Sequence, residues 1–165
     1  MKLTAISCIL AALGAVAAGR PGPDQREITR INVLAVHAFS QGRGEKVYDR
    51  ELEQYKDALD GLDYDTYHHL SSKMLQAKMG EEAVYEINSR YKLCVEPLSR
   101  ESSGQTRLNV RVEMTPKEAQ GRAGWERKPV NVIKTTLLIS PDKKLKLRGL
   151  KLDRGELVVV LMLRD

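Results

Sequence analysis

The chain has 165 residues, with 27 Lys plus Arg against 22 Asp plus Glu and a formal net charge of +5. That length suits a single domain with a substantial core, and two cysteines with twelve glycines exclude a disulfide scaffold and a collagen-like repeat. The charge is uneven: residues 20–100 carry 12 basic and 14 acidic side chains, whereas residues 101–165 carry 14 and 8, so the positive character lies in the C-terminal half.

The chain opens with Met1 and Lys2, continues as an apolar and small-residue run to Gly19, and then meets Arg20-Pro21-Gly22-Pro23. One positive charge, a short hydrophobic stretch and small residues with an Ala-x-Ala site at Ala15 and Ala17 make a secretory signal peptide over residues 1–19. A retained membrane anchor and a buried N-terminal helix are the alternatives. Processing implies a periplasmic or extracellular protein, with a linker at residues 20–27 and one β-rich domain over residues 28–165. Beyond the signal segment Cys94 is the sole cysteine, flanked by Leu93 and Val95, so the expected thiol is buried on a strand and no intrachain disulfide forms. An exposed, reactive thiol is the sharper alternative.

Residues 28–39 are rich in Ile and Val and predict a strand without clean alternation. Gln41-Gly42-Arg43-Gly44 breaks it as a turn, and lacks the further Gly or the Gly-Lys-Ser/Thr of a phosphate loop. Over residues 48–62, Leu52, Tyr55, Leu59 and Leu62 recur at spacings of three and four, with Ala58 beside them. This predicts an amphipathic helix capped by Asp49, ended by Gly61 and docked by its leucine stripe on a sheet. Residues 66–74 fit both strand alternation and helical spacing; Thr66 and the Ser71-Ser72 pair favour a strand. Gly80 marks a turn, and two short strands around residues 83–87 and 91–95 join at Asn88 to Arg90.

The clearest strand covers residues 107–114, with Leu108, Val110, Val112 and Met114 on one face and Arg107, Asn109, Arg111 and Glu113 on the other. Pro116 closes it, and residues 117–129 read as a long loop around Trp125, which either binds a partner or folds back over a sheet edge. Residues 130–139 are β-rich, Ser140-Pro141-Asp142 is a turn, and Leu145 and Leu147 alternate with Lys144, Lys146 and Arg148 up to Gly149. Residues 156–163 are apolar on both alternating faces, which predicts a central strand between two packed layers. One helix among about seven strands gives an α+β or mainly β fold: a compact two-layer sheet domain with one amphipathic helix.

Motifs for chemistry are sparse. His68 and His69 diverge on a strand, so one ion cannot readily take both, and His37 and Cys94 complete no recognisable ligand spacing; no metal and no cofactor are expected. Gly-x-Ser-x-Gly and His-Glu-x-x-His are missing, and Asp60, Asp63 and Asp65 do not follow a calcium loop. Catalysis is therefore not the expected role. The positive strand offers more: Lys144, Lys146 and Arg148 share a face, Lys151 and Arg154 follow, and Arg107 and Arg111 would extend the surface if their strand lay alongside. Together with Trp125, these residues are the candidate site for an anionic or protein partner.

Lys134-Thr135-Thr136-Leu137-Leu138-Ile139, Leu145-Lys146-Leu147-Arg148-Gly149-Leu150 and Glu156-Leu157-Val158-Val159-Val160-Leu161 resemble the strand, turn, strand, glycine corner, strand series near the end of the bacterial secretin family. The resemblance covers about 32 residues and implies a small envelope β module with Gly149 and Leu150 at its corner. More broadly the chain resembles uncharacterised short secreted bacterial proteins, which implies no activity. The expected function is a non-enzymatic cell-envelope binding or assembly module, its partner an envelope protein or anionic polysaccharide and not nucleic acid. A small hydrolase acting on envelope material and a structural protein forming homo-oligomers are the alternatives.

Overall fold

The computed structural model describes residues 28–116 and 128–164. The expected signal segment at residues 1–19, the expected linker at residues 20–27 and Trp125 lie outside the described residues. Within them, no helix is long and apolar enough to cross a membrane.

Among the described residues nine strands form two sheets: β1 (Ile28–Phe39), β2 (Val47–Tyr48), β3 (Thr66–Lys78), β4 (Ala83–Glu86), β5 (Tyr91–Arg100), β6 (Thr106–Met114), β7 (Val130–Ile139), β8 (Leu145–Lys151) and β9 (Glu156–Arg164). The first sheet has the order β2-β3-β1-β9-β8 and the second β4-β5-β6-β7. Their apolar faces meet in one core, to which β1 gives Ile31, Val33 and Ala35, β9 gives Leu157, Val159, Leu161 and Leu163, and β6 gives Leu108, Val110 and Val112. The domain is thus a two-layer mixed α/β structure with two sheets and one short helix, as the alternation predicted.

The opposite face of the five-stranded sheet holds a second core, where Leu34, Val36, Ala38, Val158, Val160 and Met162 lie beneath Leu52, Tyr55, Ala58, Leu59 and Leu62. This explains two features of the sequence at once. Strands β1 and β9 are buried on both faces, so they read as apolar runs without period two. The stripe spaced by three and four is their cover.

That cover is shorter than the predicted helix. Residues Arg50–Tyr55 form a 3-10 helix that runs into a single α-helical turn, α1 (Lys56–Leu59). The chain is pinned on both sides, by β2 pairing with Thr66 and Tyr67 just before it and by β3 starting just after it, so the segment must be compact. Asp49 sits at the N-cap position but caps nothing. Its carboxylate instead accepts hydrogen bonds from His68 Nδ1 at 2.9 Å and the His69 backbone N–H at 2.8 Å, tying the helical segment to β3.

The ambiguous stretch at residue 66 is the 13-residue strand β3; of the helical triplet, Tyr67 is buried while Leu70 and Met74 are 43% and 44% exposed. Strand β5 runs past the expected Val95 to Arg100 through Pro97. The register with β6 shifts between Pro97 and Ser99, which accommodates a residue without an N–H. The turn at Gly80 (φ 75°) carries the chain from the first sheet to the second.

Candidate functional site

Alternation along β8 turns Leu147 into the intersheet core and leaves Lys146 opposite Val160, on the helix side of the first sheet. Lys144, Lys146 and Arg148 thus project to one side, as expected from their spacing. Their charges are largely engaged there. Lys144 Nζ donates to Asp57 Oδ1 at 2.6 Å and to the Gln54 carbonyl at 2.7 Å, and lies 5.6 Å from the centre of the Tyr55 ring. The hydrogen bond from Lys144 holds the Asp57 carboxyl below the usual range. Arg148 Nη2 is 3.5 Å from Glu156 Oε2, and Glu156 is 7% exposed. Burial alone would raise the Glu156 pKa, but the Gly149 N–H, the Tyr64 hydroxyl and Arg148 outweigh it and the value is lowered. Lys146 Nζ lies over Gly61, and the carbonyl of the exposed Lys151 accepts the Tyr91 hydroxyl at 2.7 Å.

Arg107 and Arg111 do not extend this surface. They lie on the outer face of the four-stranded sheet, because Leu108, Val110 and Val112 between them point into the intersheet core. The core separates the two basic sets, so the single basic face spanning both strands is not formed. On that outer face Arg107 Nη2 is 3.5 Å from Glu101, and Arg111 Nη2 is 3.0 Å from Glu82. Arg111 Nε is also 3.1 Å from Glu113, which takes a 2.6 Å ion pair from Lys92. This sheet face is a lattice of neutralised charges.

The histidines stay apart in chemistry though not in register. His37 and His68 are neighbours across β1 and β3, yet His37 contacts the Arg154 carbonyl and stacks on Phe39 at 4.6 Å, while His68 is held by Asp49. Neither partner is a hydroxyl or a thiol. Cys94 is buried on the other sheet, and desolvation pushes its thiol pKa up. Among the described residues no group of three His, Cys, Asp or Glu side chains could hold a metal.

The glycines at 42 and 44 serve a loop, and not a phosphate. Asp65 accepts the backbone N–H groups of Gln41, Gly42 and Arg43 at 2.7–3.0 Å, and these bonds, led by that from Gln41, hold its pKa at about 2 together with the Thr66 hydroxyl. The amides that would cradle an anion are already given to this carboxylate. Asp60 is engaged as well, by Lys46 and Tyr48.

A different feature stands out once the strands are ordered. Strand β7 ends the four-stranded sheet, and among the described residues only β6 pairs with it. Its Ile133 and Leu137 lean on the intersheet core, while Val130, Val132 and Leu138 are 48%, 41% and 44% exposed. Lys134 is its one charged residue. The other ends are better protected. Strand β8 carries Lys146, Arg148 and Lys151 with a register shift at Gly149, and β4 has four residues. The sequence showed a β-rich run here, and one nearly without charge.

No family model matches the chain, and neither a curated protein nor a solved structure matches it. The stretches that resemble the secretin series are β7, β8 and β9, of which β7 belongs to one sheet and β8 and β9 to the other.

Proposed function

We propose that this protein is an exported, non-enzymatic assembly module of the cell envelope that associates by adding a strand to the edge of β7. The observation that carries the reading is a ten-residue edge strand with exposed apolar side chains and a single charge. An unpaired edge presents a row of N–H and C=O groups that an incoming strand satisfies, and the alternate side chains choose the partner. The basic residues offer less for an anionic macromolecule, since Lys144, Arg148, Arg107 and Arg111 each have a carboxylate partner. A hydrolase needs a nucleophile beside an oriented base, and the Asp49–His68 pair has none among its described contacts.

Hydrogen exchange tests this directly. Amides of residues 130–139 are expected to gain protection when concentrated protein, or dilute protein with envelope extract, is compared with dilute protein alone. If neither condition slows exchange in this segment while both leave the rest of the domain intact, strand addition at β7 is wrong.

A further inference from the structure

Resting on the strand-addition reading, we infer that the strand added to β7 is β7 of a second copy of this chain, antiparallel, with Thr135 on the two-fold axis.

The argument is one of self-complementarity. Two antiparallel copies related by an axis normal to the sheet keep the same faces together, so outward residues meet outward ones and inward residues meet inward ones. With Thr135 on the axis, Ile133 meets Leu137 on the inner face and Val132 meets Leu138 on the outer face. Lys134 then lies opposite Thr136. Between Val132 and Leu138 every apolar side chain faces another, and the lysine faces a hydroxyl.

The neighbouring registers are worse. Moving the axis to Lys134 sets the two ammonium groups against each other, and moving it to Thr136 sets Lys134 against Leu138. The strand also has a regular stretch for the purpose. Its one irregularity is a register shift opposite Val112 and Glu113 that leaves Val132 without a partner in β6, so Ile133–Ile139 stays regularly paired. The inner contacts would continue the intersheet core, since Ile133 and Leu137 already pack partly against it.

The assembly stops at two. An isologous contact uses the same edge on both copies, and the far edge of each four-stranded sheet is the four-residue β4. The product is a continuous sheet spanning both molecules, closed at its centre.

Two measurements on the full chain test this. Light scattering across protein concentration should show a monomer–dimer equilibrium, and Leu138→Lys should raise the dimer dissociation constant roughly tenfold, because two symmetry-related pairs are lost together. Leu138 is exposed, so circular dichroism should be unchanged. In parallel, Thr135→Cys should form a disulfide-linked dimer under mild oxidation, since directly opposite residues of antiparallel strands fall within disulfide reach. The parent chain, with its own Cys8 and Cys94, gives the background, and Thr136→Cys should cross-link less. A monomer at every concentration, with β7 protected only by envelope extract, overturns the homodimer while leaving strand addition standing. A dimer that cross-links in the Thr136→Cys variant and not in the Thr135→Cys variant overturns the register. A dimer unaffected by Leu138→Lys overturns the interface.

Discussion

Leu59 offers the most direct test of how the helical cover holds the five-stranded sheet. It is fully buried in the core formed with Leu34, Val36, Val158, Val160 and Tyr67, yet it sits on an α-helical turn of four residues. Leu59→Ala removes three buried carbons. Such truncations cost about 2–5 kcal/mol, and a short cover free to settle onto the sheet places this one near the lower end, about 2–3 kcal/mol. Leu59→Asp adds a carboxyl that must be neutral to stay buried, and protonating a group of ordinary pKa 3.9 at pH 7 costs about 4 kcal/mol more. The two variants should therefore diverge at neutral pH. A carboxylate whose folded pKa is raised destabilises above its unfolded pKa, and that penalty disappears as the pH falls to the unfolded value, so the gap should narrow towards pH 4. Urea unfolding of both variants across this range, followed by tyrosine signals from Tyr55 and Tyr67, measures it. Losses within about 0.5 kcal/mol of the parent for both variants would show that the cover does not hold the sheet.

The remaining predictions are briefer. Gly155→Ala should destabilise strongly, because a Cβ there would lie 2.2 Å from the Ala38 carbonyl oxygen and 2.6 Å from Phe39 Cβ, on a backbone with φ of 80°. Thermal unfolding checks it, and a parental midpoint would refute the close approach. Glu156 has a lowered folded pKa, so its contribution is present above the unfolded glutamate value and is lost as pH falls through the folded one. Glu156→Gln should flatten the acid limb of stability against pH, measured by urea midpoints, and an unchanged limb would refute it. Removing residues 1–19 should leave the fold unaltered, and N-terminal sequencing of exported protein should find a start between Ala18 and Arg20. An intact Met1 in the envelope fraction would show a retained anchor.

Most of the fold was legible because burial on one face writes itself as period two. Residues 107–114 alternate cleanly, and the strand there turns Leu108, Val110 and Val112 inward with no residue out of place. Strand β9 was legible for the opposite reason, since two apolar faces imply two cores. The cover was half legible. Its buried positions followed from the spacing of Leu52, Tyr55, Leu59 and Leu62, but its conformation is set by where β2 and β3 hold its ends, and such a long-range constraint leaves no mark on the local sequence. Likewise Asp49 has the residue type and position of a cap, and the tertiary contact with β3 took its carboxylate instead.

The candidate site was less legible, and the reason is physical. Strand alternation tells which side chains share a face but not which sheet the face belongs to; Arg111 and Lys146 therefore looked alike until the sheet order put the intersheet core between them. Net charge has the same weakness, since a count of cations omits their partners. Lys144 with Asp57, Arg148 with Glu156, and Arg111 with Glu82 and Glu113 turn much of the apparent anion site into internal ion pairs. The more exposed of these pairs contribute little to stability, typically about 0–1 kcal/mol, but all of them lower the positive potential that a distant anion would feel. Strand edges show the converse effect. Lysines on β8 discourage an added strand there, while β7, carrying one lysine and three exposed aliphatic residues, lacks that protection. In this fold the informative charge pattern is thus the place where charge thins out, and it lies on the strand that, among the described residues, pairs on one side only.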